Sequence, residues 1–162
     1  MKKSANPKRS PKTKPRSPVD RTQTFHFECP ADPKEIRKVE PFMNQINDAA
    51  RLDDGTFYRL LVAGTEAVNN GILHGNKGNP KKKVVVTCII DKDSLVFRVC
   101  DEGKGFKPEE VPDPLEEKNL LKTSGRGIFL MRSLMDKVSF KVTPRGTEVE
   151  LVIDLKHLGQ RS

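Results

Sequence analysis

Two C-terminal segments, 137–143 and 147–155, alternate apolar and polar residues, and this alternation restricts the fold more than any other feature of the sequence. Successive side chains of a β-strand point to opposite faces, so the alternation predicts a hairpin with one apolar face. Segments 83–91 and 94–101 are two further predicted strands, joined by a tight polar turn. The apolar side chains of the C-terminal hairpin are Val138, Phe140, Val142, Val149, Leu151 and Ile153.

A predicted strand at 24–28 precedes the first predicted helix. Asp32 is a good N-cap for that helix, and Glu35 stands three residues later, which is the spacing of a capping box. Apolar residues then recur at helical spacing as far as Ala50. Pro41 interrupts this run, and we expect it to kink the helix because proline lacks the N–H that an interior helical position donates.

Two more helices are predicted, one from residue 53 or 54 to about His74 and one over 125–136. The prolines and charges of 107–122 favour an extended loop between them and suggest a lid. Sheets built from hairpins with one apolar face need helices to cover that face. The sequence therefore predicts an α/β two-layer sandwich, with a mixed, mostly antiparallel sheet covered on one face by helices.

The net charge of +8 is concentrated at the N-terminus, where residues 1–21 carry a net +7. The rest of the chain is close to neutral and lacks the basic surface of a domain that grips nucleic acid. We expect a disordered basic tail at 1–22, a folded domain at 23–157 and a short C-terminal tail at 158–162. The basic tail is either a solvated arm or an arm that contacts nucleic acid or an acidic partner.

No apolar stretch approaches the roughly 20 residues that a membrane-spanning helix needs, and no hydrophobic region follows the basic start. We therefore expect a cytoplasmic protein that does not contact membranes. The cysteines Cys29, Cys88 and Cys100 are odd in number and lack CxxC spacing. They support neither a disulfide framework nor a zinc site, and we interpret them as buried thiols.

The second helix carries two stripes. Glu66, Asn70 and His74 recur every four residues opposite the apolar stripe, beside the small Ala63 and Ala67. For this helix taken alone, a solvated outer face is the ordinary explanation of such a polar stripe. The small neighbours, and a carboxylate and a carbonyl suited to a hard cation, favour a site instead. The predicted core stripe consists of Phe57, Leu60, Leu61, Gly64, Val68, Gly71 and Ile72.

Three glycine-containing turns follow the second helix, and each has an ordinary explanation as a simple turn or helix start. The run 101–105 reads Asp-Glu-Gly-Lys-Gly at the end of a strand, where a carboxylate can accept from an amine and glycines let a planar ring approach. The Gly-Arg-Gly run at 125–127 opens the third helix, whose N–H groups favour an anion. Gly146 and Thr147 begin the last strand.

Taken in order, these elements resemble the N, G1, G2 and G3 boxes of the GHKL ATPases, and within that superfamily the anti-sigma factor serine/threonine kinases. The N box is EAVNNGILHG at 66–75, and the G2 region is GRGIFLMRSLMD at 125–136. The resemblance covers about 24–155. It implies the histidine kinase-like ATPase fold, also called the Bergerat fold, with ATP and Mg²⁺ as cofactors.

The resemblance also implies a role for each matching residue. Glu66 would be the catalytic base, Asn70 would ligate Mg²⁺, and Asp101 would bind the adenine amine. Thr123 stands where some relatives have a basic residue, which leaves Lys122 or Arg126 to contact the γ-phosphate. The remaining nucleotide-binding residues implied by the resemblance are Gly103, Gly105, Gly125, Gly127 and Thr147.

The function implied is that of an ATP- and Mg²⁺-dependent protein serine/threonine kinase. It would act as an anti-sigma factor, phosphorylate an anti-sigma-factor antagonist, and form a homodimer through the sheet. A sensor histidine kinase is disfavoured because no upstream helices could carry a phosphoacceptor histidine. Two alternatives remain open: a non-catalytic ATP-binding anti-sigma module of the same fold, and a nucleic-acid-binding protein that acts through its basic tail.

Overall fold

The computed structural model describes residues 21–104 and 125–156. Its strands form one five-stranded sheet in the order β1-β2-β3-β5-β4, and every neighbouring pair is antiparallel. The bounds are β1 Gln23–Pro30, β2 Lys83–Ile90, β3 Ser94–Cys100, β4 Lys137–Thr143 and β5 Gly146–Asp154. The predicted strands are confirmed. The sheet is predicted to be mixed, but the described strands include no parallel pair.

The helices lie on one face of the sheet. The long helix α2 is continued by a π-helical turn at Gly71–Gly75, and a 3-10 helix at Pro33–Lys38 precedes α1. The bounds are α1 Val39–Ala50, α2 Asp54–Asn70 and α3 Arg126–Leu134. Alternate residues of β2, β3 and β5 are buried beneath these helices, so the two-layer sandwich is confirmed.

The first predicted helix is divided into two helices. Pro41 is the third residue of α1, where its missing N–H matters little, and the chain winds as a 3-10 helix before that point. The proline therefore limits where α1 begins instead of kinking it. The predicted capping box is wrong: Asp32 accepts from the N–H of Lys34, while the Glu35 carboxylate pairs with Lys38.

Helix α2 presents one face to the sheet and another to α3. Gly64 lies against the Met43 methyl and the Phe97 ring, so the helix approaches the sheet at a point where a side chain would collide. Ala63 and Ala67 are also buried, which lets other elements approach α2 closely. The predicted core stripe is confirmed, although Phe57 and Leu61 are only half-buried.

Two apolar predictions fail at the margins of the sheet. Val142 is 54% exposed because β4 is an edge strand and Val142 lies near its turn. Cys29 and Cys88 are buried, but Cys100 lies on the outer face of the sheet, half-buried, where its thiol contacts the Glu148 carboxylate. Burial raises the pKa of Cys88 to about 12, so that thiol stays protonated.

The predicted tails and the predicted loop at 107–122 lie largely outside the described residues and stay predictions. Among the helices in the described part of the chain, none has the length and apolar character needed to cross a membrane.

The N-cap of α2 gives a test of the fold. Asp53 accepts from the Thr56 N–H at 3.0 Å and from its hydroxyl at 2.7 Å, and these bonds hold the pKa of Asp53 below its ordinary value. Asp53→Ala should therefore lower the free energy of unfolding by about 1 kcal/mol at neutral pH. A lowered pKa stabilises the fold above the unfolded-state pKa, and this stabilisation is lost as pH falls through the folded-state pKa.

Urea unfolding at neutral and acidic pH measures this difference. Asp54→Ala is the matched control, because it removes a first-turn carboxylate and keeps the cap. Equal losses in the two variants, or a loss independent of pH, would contradict the assigned cap.

Candidate functional site

The carboxylate of Asp101 lies at a corner where three parts of the backbone meet. Its Oδ1 atom accepts from the N–H of Gly103 at 2.8 Å and from the N–H of Thr147 at 3.3 Å. The Asp101 N–H in turn donates to the Thr147 carbonyl at 3.0 Å, which extends the β3–β5 ladder by one residue. The side chain is thus fixed by main-chain groups of two neighbouring segments.

Glycines make this close approach possible. A Cβ at Gly75 would collide with the Asp101 carboxylate, and a Cβ at Gly103 would collide with the backbone of Gly75. A Cβ at Gly146 would overlap the Asp101 carbonyl. We call this set, Gly75, Asp101, Gly103, Gly146 and Thr147, the β3 corner.

One polar group of the β3 corner has no partner, and another is partly buried. Burial raises the pKa of Asp101 above its ordinary value, although the N–H donors of Gly103 and Thr147 and the charge of Lys82 oppose this. Thr147 is 2% exposed, and its hydroxyl oxygen Oγ1 has no hydrogen-bond partner. Buried polar atoms are nearly always paired, so an unpaired one points to a missing ligand group.

Asn76 holds the β3 corner in place, and sequence reasoning missed it. The residue is 1% exposed; its Nδ2 donates to the Lys83 carbonyl and its Oδ1 accepts from the Glu102 N–H, each at 2.8 Å. It therefore joins the end of the π turn to β2 and to the turn after β3. Asparagine is common at helix ends, so its presence here gives no sign of hydrogen bonds to Lys83 and Glu102.

A second cluster forms where α3 begins. A Cβ at Gly127 would lie 2.9 Å from Glu66 Oε2 and 3.0 Å from Asn70 Nδ2, so these two side chains approach the start of α3 closely. Gly125 caps the helix with φ at 89°, a left-handed conformation that glycine adopts without strain. We call Glu66, Asn70 and Gly127 the helix junction. Glu66 and Asn70 are half-buried there, so at these two positions the polar stripe is not a solvated outer face.

Helix α2 and its π turn connect the two clusters. Glu66 and Gly75 are nine residues apart, or roughly 13 Å along a helix at 1.5 Å per residue. His74, predicted to continue the polar stripe, is instead exposed within the π turn, whose wider winding changes the angle between successive residues. Arg126 is exposed and belongs to the first turn of α3. Gly105 and Lys122 lie outside the described residues.

Residues 29–153 match the family described as the histidine kinase-like ATPase domain. The chain belongs to this family. The fold predicted from the N-box and G2 resemblance is therefore confirmed, and the two clusters lie within the matched part of the chain. ATP is the nucleotide for which this family is named.

The relatives of this chain include anti-sigma F factors and a serine-protein kinase. The anti-sigma F factor of Bacillus subtilis is 33% identical over 125 residues, which is 75% of this chain and 81% of that protein. The anti-sigma F factor of Oceanobacillus iheyensis is 32% identical over 120 residues, 72% of this chain and 80% of that one. Serine-protein kinase RsbW of Listeria monocytogenes is 30% identical over 118 residues, 69% and 75% of the two chains.

A solved structure has the same fold. The crystal structure of the RsbU and RsbW domains of a Mycobacterium tuberculosis protein superposes with a TM-score of 0.60 at 16% identity. The superposition covers 81% of this chain and 32% of that longer one. The agreement extends the family assignment to the three-dimensional arrangement of sheet and helices.

The β3 corner fits an adenine ring. A purine offers an exocyclic amine that can donate to Asp101 and ring nitrogens that can accept from a hydroxyl such as that of Thr147. The glycines let the segments around Asp101 pack directly on one another, which holds the Asp101 carboxylate and the Thr147 hydroxyl at one corner. Such a ring would give the Thr147 hydroxyl a partner and would donate a further hydrogen bond to the Asp101 carboxylate.

The helix junction fits phosphates and a divalent cation. The N-terminus of α3 provides backbone N–H groups and the positive end of a helix dipole. Within residues 21–104 and 125–156, no group of three or more His, Cys, Asp or Glu side chains is placed to hold a metal. Mg²⁺ takes few protein ligands and completes its shell with phosphate oxygens and water, so a single amide oxygen such as that of Asn70 is compatible with a Mg²⁺ site.

Asn76→Ala tests the support of the β3 corner. Loss of this buried amide leaves the Lys83 carbonyl and the Glu102 N–H without their partner and should lower the free energy of unfolding by about 2 kcal/mol. ATP affinity should fall as well, because the turn that carries Asp101 loses its anchor. Urea unfolding and calorimetry measure the two effects. The control is Asn79→Ala, whose exposed amide accepts only from nearby Lys81; similar stability of the two variants would refute the anchoring role.

Thr147→Val tests the unpaired hydroxyl. Valine keeps the shape and removes the unsatisfied oxygen, so the nucleotide-free protein should become more stable by up to about 1 kcal/mol. ATP should bind roughly fivefold more weakly, which corresponds to one lost hydrogen bond. Thermal unfolding measures the gain in stability, and calorimetry measures the loss of ATP affinity. Thr87→Val, on the outer face of β2, is the control, and a destabilised Thr147→Val protein that binds ATP normally would oppose the assignment.

Proposed function

We propose that this chain is an ATP- and Mg²⁺-dependent protein serine/threonine kinase that also acts as an anti-sigma factor. In the proposal it binds a sigma factor and phosphorylates an anti-sigma-factor antagonist. The observation that carries the kinase activity is the helix junction. There a carboxylate and an amide from α2 lie against the first turn of α3 without an intervening side chain.

Glu66 is the proposed general base. Its Oε2 atom is the side-chain atom nearest to the position that a Cβ would take at Gly127, so the carboxylate is directed at the start of α3. In the proposed reaction, Oε2 accepts the hydroxyl proton of the incoming serine or threonine as the oxygen attacks the γ-phosphorus of ATP. The bond from that phosphorus to the bridging oxygen of the β-phosphate breaks at the same time, and ADP leaves. A positioned base of this kind contributes roughly 10²- to 10⁴-fold to a proton transfer.

The remaining groups orient the nucleotide. Asp101 and Thr147 fix the base, and the backbone N–H groups at the start of α3, from 125 to 127, donate to the phosphate oxygens. Either Arg126 or Lys122 is the proposed contact to the γ-phosphate, and Gly103 and Gly105 are the proposed lining of the base pocket. Asn70 would hold Mg²⁺, which when bound would neutralise charge on the phosphate oxygens.

The regulatory part of the proposal is supported by the names of the relatives: two are anti-sigma F factors and one is serine-protein kinase RsbW.

Homodimerisation belongs to the same proposal. The outer sheet face carries apolar side chains that the described helices do not cover, and they are half-buried. These are Val85, Ile89, Val96 and Val152.

Glu66→Gln tests the kinase. Glutamine keeps the size that the contact with Gly127 requires but cannot accept the proton, so phosphoryl transfer should fall by roughly 10²-fold or more. ATP affinity should stay close to that of the wild type. The assay combines radiolabelled ATP with a purified anti-sigma-factor antagonist from the same organism, and calorimetry follows ATP binding.

Glu40→Gln, an exposed glutamate in the first turn of α1, is the matched control. Near-normal transfer by Glu66→Gln would remove Glu66 as the base. If the wild-type protein bound ATP and sigma factor but transferred no phosphate, the kinase proposal would give way to the non-catalytic module.

A further inference from the structure

Arg59 bridges α2 and the far end of α3. Its Nε donates to the Leu134 carbonyl at 2.6 Å, and its Nη2 donates to Asp136 Oδ1 at 3.0 Å. The Leu134 carbonyl is among the last of α3, which have no partner within the helix. One planar guanidinium thus satisfies a helix terminus and pairs with a carboxylate two residues beyond it.

Asp136 connects this contact to the sheet. Its other oxygen, Oδ2, accepts from the Asp154 N–H at 2.7 Å, and its own N–H donates to the Val152 carbonyl at 3.0 Å. Arg59 therefore links α2 and the C-terminal end of α3 to a residue that is itself fixed on β5. The side chain of Arg59 is 32% exposed, so part of this contact is shielded from water.

Helices α2 and α3 run in opposite directions and touch at two places. Arg59 meets Leu134 at one end, and Glu66 and Asn70 meet Gly127 at the other. The two contact points on α3 are seven residues apart, or roughly 10 Å at 1.5 Å per residue. Because a helix is stiff over this length, fixing the position of Leu134 along α2 also fixes the position of Gly127.

The helix junction depends on which residue of α3 faces Glu66 and Asn70. Their side chains lie close to Gly127, so a slip of α3 by a single residue, roughly 1.5 Å along the helix axis, would change the backbone groups that face them. We infer that Arg59 is a positioning residue: its fork sets the register of α3 on α2, and so places the N-terminus of α3 for the phosphates without touching them. The β3 corner depends on other contacts.

This separation gives a selective test. Arg59→Met keeps the length of the side chain and removes the fork. ATP should then bind roughly tenfold more weakly, which is the lower end of the loss seen when hydrogen bonds that orient metal ligands are removed. Adenosine, which has no phosphates, should bind as it does to the wild type. Calorimetry measures ATP and an NMR titration measures the weaker adenosine; Arg59→Lys, which can reach one acceptor at a time, should recover part of the ATP affinity.

Arg98→Met is the matched control, because Arg98 also pairs through Nε with a carboxylate, Glu150, but on the outer face of the sheet. Its affinities for ATP and adenosine should be unchanged. Equal weakening of both ligands in Arg59→Met would show general destabilisation and overturn the inference. Unchanged ATP binding would overturn it too.

Only the measurement of ATP binding rests on the proposed ATP-dependent function. Amide hydrogen exchange of the nucleotide-free protein is a second, independent measurement of this inference. Residues 126–134 should exchange faster in Arg59→Met, while β2 and β3 exchange as in the wild type. Unchanged exchange in α3 would refute the register role. If the wild type bound no ATP, the proposed function would fail, and the exchange data would still decide whether Arg59 holds α3.

Discussion

The close contact of main-chain segments around Asp101 is the constraint on which the nucleotide-binding end of the molecule depends. The π turn, the turn after β3 and the start of β5 meet there at distances that exclude a side chain at Gly75, Gly103 or Gly146. Side chains pack with some tolerance, but backbone atoms cannot be rearranged by choosing another rotamer. The position of the Asp101 carboxylate is therefore determined by the fold itself.

Helix α2 connects this corner to the rest of the site, because it serves two partners at once. Its apolar stripe packs on the sheet through Gly64, and its polar stripe meets α3 at Gly127. Both contacts require residues without bulk, on α2 in the first case and on α3 in the second. A single well-capped helix thus fixes the distance between the corner that fits adenine and the junction that fits phosphates.

The sequence predicted the elements well, because their signals are local. Alternation identified the strands, and Asp53 marked the start of α2. The sequence also predicted that Glu66 and Asn70 share one face of α2, since they are four residues apart. Asn76 and Arg59 could not be found this way, because their partners lie far along the chain and only the tertiary structure brings them near. The capping box failed for a different, local reason: the Glu35 carboxylate pairs with Lys38, three residues along the chain.

The two ends of the site are supported by different kinds of interaction, and this has a consequence for ligand binding. Asp101 is held by the β3–β5 ladder, whereas Gly127 depends on how one short helix lies against another. Ladder hydrogen bonds open only with the sheet, but helix packing can shift locally at lower cost. A nucleotide that contacts both ends would therefore restrain α3 more than it restrains the sheet. Its binding free energy would stabilise chiefly the part of the site that is least constrained without it.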